Sequence, residues 1–260
     1  MSLDFALHLT QRFLAFSILL QNIEMFFIRK EFQPNGVFQW GILRNDFKEF
    51  PKLLRIFFDR LMNYPNFLGV LALQFILSIN LFFFSDFMTI SLLFAVTLII
   101  SLRWRGSFNG GSDSMTLLVL GALVIAITFK NHPKAPIASL WYIAIQSSFS
   151  YFIGGFVKIK ESSWWNGKAL KDFLRSSQYL IPETIKALCT HKGLLILLSW
   201  TIMLFEILFP FILFFTHFKM EILFIGAIFH ALNIYLFGLN RFFYAWVATY
   251  PALYYCSNSI

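Results

Sequence analysis

Gly193-Leu-Leu-Ile-Leu-Leu-Ser-Trp-Thr-Ile-Met-Leu-Phe-Glu206-Ile-Leu-Phe-Pro-Phe-Ile-Leu-Phe-Phe215 is an apolar run with a single ionisable side chain, Glu206. A helix of that length rises ~35 Å at 1.5 Å per residue, enough to cross ~30 Å of hydrocarbon. Hydrocarbon offers no partner to a free backbone amide, so a crossing segment must satisfy its own hydrogen bonds as a helix. Comparable runs cover residues 12–27, 65–84, 87–102, 115–129, 136–157, 220–239 and 242–255. The first is interrupted by Gln21, Asn22 and Glu24, and the last is short and contains Tyr244, Thr249 and Pro251. The first could lie along the interface instead. The expected fold is therefore all-α, a polytopic membrane bundle of about eight spans, with seven to nine as the range.

Composition agrees: 58% of residues are hydrophobic, 20% aromatic and only 13% charged. No soluble core of this size needs so much apolar surface. There is no linker-like tract or internal repeat, so residues 1–260 read as one domain. The N-terminus has neither a basic region nor a small-residue cleavage site, so no removable signal peptide is expected.

The net charge of +8 marks topology rather than a nucleic-acid surface. Basic residues gather in segments 29–60 and 158–192, with Arg103, Arg105 and Arg241 assigned to the same side. Lys130, Lys134 and Lys219 fall opposite. The positive-inside rule makes the basic face cytoplasmic, in a bacterial inner membrane, with both termini outside if all eight spans cross. Cys189 and Cys256 would then lie on opposite faces, which excludes an internal disulfide. Between Asp46 and Arg60, Phe47, Leu53, Leu54, Phe57, Phe58 and Leu61 recur at helical spacing, the pattern of a basic amphipathic helix on an anionic leaflet.

Four features could carry chemistry. In Tyr151-Phe-Ile-Gly-Gly-Phe-Val-Lys158-Ile-Lys160-Glu-Ser-Ser-Trp164-Trp-Asn-Gly167 a lysine closes an apolar helix. Partial withdrawal from water weakens an ammonium's hold on its proton and suits a general base, whereas snorkelling to headgroups is the structural alternative. Second, Glu206 and His230 each stand about twelve residues from the turn at Phe218 and Lys219, at one depth in an antiparallel hairpin where they could hydrogen-bond. Asn233 follows His230 by nearly one turn and could share that site, while a structural clasp between helices is the plainer reading. Third, Asn109-Gly110-Gly111-Ser112-Asp113 precedes a helix, with Asp113 or Ser112 as N-cap and exposed amides as a candidate anion site. Fourth, Ser139, Gln146 and Ser150 form a polar row that should face a neighbouring helix. No metal ligand set is assigned.

These residues together resemble the horizontally transferred transmembrane (HTTM) domain, best known as the membrane part of vitamin K-dependent gamma-glutamyl carboxylase. The carboxylase has a Tyr-Phe-(Ile)-Ala-Gly-Val-Lys-Lys-Leu segment followed by Trp-x-x-Gly, similar to Tyr151 through Gly167. Its Phe-His-x-Met-Asn-x-x-Leu-Phe segment looks like Phe229-His230-Ala-Leu-Asn233-Ile-Tyr-Leu-Phe237, and an acidic residue precedes it where Glu206 stands. The Asn-Gly-Gly stretch ending at Asp113 is similar to a turn of bacterial members. The likeness covers roughly residues 103–255.

The resemblance implies a quinone or hydroquinone cofactor and a lysine that deprotonates it. Lys158 is the candidate for that lysine, with Lys160 as the reserve, and Trp164 is a reserve site residue. Two departures stand against full carboxylase activity. The large lumenal region of the carboxylase has no counterpart here, and the charge pattern puts Lys158 on the cytoplasmic side. Small bacterial relatives resemble proteins that mature secreted toxin peptides, some with separate partners, and a lone membrane domain fits that group better. The leading reading is thus a membrane protein that modifies or matures an exported peptide or protein, with Lys158 as base and Glu206 with His230 as a buried dyad. A non-catalytic subunit of a membrane complex is the alternative. A transporter or proton pathway ranks third, because no paired interrupted helices occur in corresponding halves.

Overall fold

The computed structural model describes residues 1–104, 110–179 and 181–260. The described residues form helices and turns with no strand, and the chain divides into two compact units, residues 3–139 and residues 140–260 with Met1 and Ser2.

In the unit of residues 3–139, α1 (Leu3–Phe27) is followed by short α2 (Trp40–Leu43) and amphipathic α3 (Lys52–Met62). Then come α4 (Asn66–Phe83), α5 (Phe87–Trp104), α6 (Gly110–Thr128) and the start of α7 (Lys134–Lys160). Of the polar residues that interrupt the first apolar run, Gln21 and Asn22 are buried and paired while Glu24 is partly exposed, and α1 is long and apolar enough to span. Asn22 Nδ2 donates to the Leu71 carbonyl at 2.8 Å and to Gln74 Oε1 at 2.9 Å, and Gln74 Nε2 donates to Thr97 Oγ1 at 3.0 Å. Gln21 Nε2 donates to Thr116 Oγ1 at 3.2 Å. Such bonds tie α1 to α4 and α6, and α4 to α5, where apolar contact has no water to escape and gives little specificity.

In the other unit α7 continues into α8 (Ser162–Trp165), α9 (Lys168–Arg175) and α10 (Glu183–Leu188). Two long apolar helices, α11 (Lys192–Phe215) and α12 (Lys219–Phe237), precede α13 (Asn240–Val247) and α14 (Tyr250–Ser257). Lys219 Nζ donates to the Ser257 carbonyl, fastening the start of α12 to the end of α14.

Six helices among the described residues are long and apolar enough to span: α1, α4, α5, α6, α11 and α12. The eight expected runs differ from these at two places. The 136–157 run lies in α7, 27 residues long, but Ser139, Gln146, Ser147, Ser148 and Ser150 make it more polar than the six. The 242–255 run is divided between two eight-residue helices, each ~12 Å long and too short to cross alone. Cys189 and Cys256 are both buried and free.

Candidate functional site

Tyr151, Gly154, Gly155 and Lys158 stand at i, i+3, i+4 and i+7 on α7 and so share one face. That face meets the stripe of α11 containing Met203, Glu206 and Phe209. Gly155 is the point of closest approach: a Cβ there would lie 2.9 Å from both the Met203 carbonyl oxygen and the Ile207 amide nitrogen. With no side chain in the way the two backbones touch, and the next helical turn brings Lys158 onto Glu206. Lys158 Nζ donates to Glu206 Oε2 at 2.6 Å, to Oε1 at 2.8 Å and to the Gly154 carbonyl at 3.2 Å. Its ammonium also lies 5.5 Å from the Trp164 ring centre, within cation–π range. Pro210, one turn beyond Glu206, has no amide to offer the Glu206 carbonyl, so that one helical bond is missing although α11 runs on to Phe215.

Glu206 and His230 therefore do not form the expected pair. α7 supplies a partner to each: Lys158 takes the carboxylate, and the Tyr151 hydroxyl lies 2.6 Å from His230 Nε2. Reading the two-helix hairpin alone left this third helix out. The Tyr151 hydroxyl also lies 3.0 Å from the Tyr250 hydroxyl, giving a chain from half-buried Tyr250 through buried Tyr151 to buried His230. Gly226 makes room for it, since a Cβ there would sit 2.7 Å from the Tyr250 hydroxyl oxygen. His230 is 1% exposed, packs against Phe229, Phe242 and Trp246, and its Nδ1 has no hydrogen-bond partner.

A cavity of about 260 Å³ opens beside the ion pair. Lys158, Glu206 and Asn233 give it polar groups, and Trp164, Phe229 and Phe242 are among its aromatic walls. Asn233 Nδ2 donates back to the Phe229 carbonyl at 3.0 Å, leaving its amide oxygen to face other partners. Lys160 does not line the cavity; it is exposed, with its ammonium 4.3 Å from the Phe156 ring centre. Of the polar row, Ser150 Oγ accepts from Trp246 Nε1 at 3.2 Å, the helix-facing role expected of it.

The glycine-rich feature falls differently. Asn109 lies outside the described residues, and α6 begins at Gly110, so Ser112 and Asp113 are inside its first turn rather than at the N-cap. Asp113 is buried, and a carboxylate in that turn complements the helix dipole. Gly110, Gly111 and Asp113 belong to the unit of residues 3–139 and line no part of the cavity beside Lys158.

Sequence reasoning missed Tyr151 and Tyr250. A signal for Tyr151 was present, since it precedes Lys158 by seven residues on the same helical face. Tyr250 carries none, because its approach depends on the break between α13 and α14.

No curated protein and no solved structure matches the chain. Residues 123–258, just over half of it and including Tyr151, Lys158, Glu206, His230 and Tyr250, match the HTTM domain, and the chain is a membrane protein of the HTTM family.

Proposed function

We propose that this chain is a membrane enzyme that modifies or matures an exported peptide or protein, with Lys158 as the base in an apolar, aromatic-walled cavity. The observation that carries the reading is the Lys158–Glu206 pair on the wall of that cavity, with bonds of 2.6 and 2.8 Å. In a low-dielectric site an ammonium–carboxylate pair and a neutral amine–carboxylic acid pair differ by one proton moved along an existing hydrogen bond. The neutral arrangement presents a free amine to a weakly acidic substrate. When the amine takes the substrate's proton it becomes an ammonium held against the substrate anion, Glu206 keeps its own proton, and the site stays neutral overall.

Aromatic walls and one acid–base pair fit a flat aromatic molecule with an acidic hydroxyl, the class to which a hydroquinone belongs. A hydroquinone would supply a phenolic proton and an oxidisable ring. Trp164, Phe229 and Phe242 would hold its ring, Asn233 would orient an oxygen, and Lys158 would accept the proton. The Tyr250–Tyr151–His230 chain supports the site by fixing α7 against α12 and α14. The basic segments favour a cytoplasmic placement of their face in a bacterial inner membrane, with α7 as a further crossing.

The test is purification from native membranes in mild detergent, with mass spectrometry of bound small molecules and of the peptides made in the same cells. The expected result is a co-purifying quinone-class molecule, and loss of the peptide modification in Lys158→Ala at unchanged protein abundance. A stoichiometric membrane partner, no aromatic small molecule and full function in Lys158→Ala would refute the reading and make the chain a structural subunit.

A further inference from the structure

The segment between α1 and α4 carries a second cavity, unrelated to the lysine–glutamate pair. It has a volume of about 300 Å³ and lies between α2, the turn Arg44–Phe47 and α3. Its floor is aromatic: Trp40, Phe47 and Phe58 are buried, with Phe47 centred 5.5 Å from Trp40 and 5.6 Å from Phe58. Around this floor stand Arg44, Lys48 and Arg55, with Asn45 as a neutral donor.

One carboxylate, Asp59, lines the same cavity, and it is already engaged. Arg44 Nη2 donates to its Oδ2 at 2.7 Å, and Trp40 Nε1 donates to its Oδ1 at 2.7 Å. Among the described residues neither Lys48 nor Arg55 has an ion-pair or side-chain hydrogen-bond partner. The cavity therefore holds three cations against one anion. A structural cluster would place a carboxylate opposite Lys48 and Arg55, since like charges at the mouth of one cavity repel.

α3 is placed for this by its two faces. Leu53, Ile56 and Phe57 form one outward stripe, with Leu53 83% and Ile56 55% exposed, whereas Arg55, Phe58 and Asp59 turn to the other side and line the cavity. The apolar stripe holds α3 at the bilayer surface and directs its cationic face to the cavity.

We infer that this cavity is a binding site for a phosphomonoester. Such a group carries about −1.5 to −2 at neutral pH, the match for an excess of two positive charges, and three acceptor oxygens that a lysine, two guanidinium groups and an amide can surround. A carboxylate has one charge and two oxygens and would leave a cation unmatched. The phosphate belongs either to a lipid headgroup such as phosphatidic acid or to a soluble phosphorylated molecule, and the experiment separates these.

Thermal unfolding of the full chain is followed in detergent with inorganic phosphate or with chloride at equal ionic strength, and in phosphatidylcholine nanodiscs with or without phosphatidic acid. The comparison protein is Lys48→Gln/Arg55→Gln. Both side chains are exposed and unpaired, so their replacement leaves the fold intact; Lys48→Gln alone is read if the double variant does not fold. Lys130→Gln/Lys134→Gln is the charge control. The expected result is protection by phosphate over chloride, with affinity about a hundredfold weaker in the double variant and unchanged in the control. Protection by phosphatidic acid alone, lost in the double variant, supports the site and assigns it to lipid. Protection absent in both media, or equal in the wild type and the double variant, overturns it.

Discussion

Breaking the Lys158–Glu206 pair from one side should cost far more than removing both members. Two unit charges ~4 Å apart attract by about 4 kcal/mol at an effective dielectric constant of ~20. The Glu206 side chain is 9% exposed and that of Lys158 23%, so water reaches the ammonium and recovers part of that loss when its partner goes. Fully buried pairs lose about 3–5 kcal/mol on removal of one partner. Glu206→Gln should therefore sit at the low end, about 3 kcal/mol, with the lysine left to the Gly154 carbonyl and the Trp164 ring. Lys158→Met leaves an unpaired carboxylate deeper in the unit and should cost at least as much. Lys158→Met/Glu206→Leu removes both charges and puts apolar volume in their place, so its cost should fall below that of either single change. The assay is reversible unfolding in mixed micelles, read as a double-mutant cycle with Lys158→Met and Glu206→Leu as the single changes, and the expected coupling is at least about 3 kcal/mol. Single costs that add to the double within about 0.5 kcal/mol would show that the two groups do not act as a pair, and the acid–base proposal would fall with them.

Three further outcomes follow from particular contacts. Gly155→Ala forces a methyl to within 2.9 Å of the α11 backbone and should destabilise by about 2 kcal/mol, whereas at Gly154 the nearest atom, Glu206 Oε1, is 3.5 Å away. Equal unfolding costs for Gly154→Ala and Gly155→Ala would disprove the close approach. Asp86 caps α5: the Thr89 amide donates to its Oδ1 at 2.8 Å, and that bond holds the carboxyl below its ordinary value. A lowered folded value means stability present in full above the unfolded carboxylate's range and lost as pH falls through the folded value. Asp86→Ala should thus cost about 1 kcal/mol near neutrality and progressively less in acid, and a difference independent of pH from ~6 to ~3 would contradict the cap. Finally, 27 residues give α7 a length of ~40 Å, so cysteines placed at Lys134 and Glu161 should react with impermeant reagents from opposite sides of the membrane; labelling from one side only would make α7 a surface helix.

The spanning helices were legible because hydropathy and length are properties of one segment at a time. The run around Glu206 needs nothing else to be read as a crossing. The final run was doubtful on sequence because it is short and contains Thr249 and Pro251, and those two residues lie where two short helices meet. Side-chain partnership was less legible, because it belongs to pairs. Lys158 and Glu206 are 48 residues apart, and their meeting depends on Gly155, whose value lies in what it lacks. Glu206 and His230 were rightly seen as buried polar groups. Their partners were not foreseen, since the hairpin geometry fixed depth but said nothing of α7.

Lys158 and Lys160 show why the sequence could not choose between a base and a snorkelling anchor. They end the same helix two residues apart, so they point in directions about 200° apart around its axis. Lys160 turns outward, covers the exposed Phe156 ring and keeps its charge at the surface, which is what snorkelling requires. Lys158 has a stem of the same length and the same nearby exit, yet it turns inward. An inward lysine gives up hydration, and it is stable only because two carboxylate oxygens, a helix carbonyl and an indole face replace the water. Each replacement comes from a different place in the chain: Glu206 from α11, the carbonyl from Gly154 one turn back, the indole from α8. A headgroup anchor needs none of them. Their convergence on one ammonium, at the edge of a cavity with aromatic walls, is what supports the proposal of Lys158 as the base over that of a headgroup anchor.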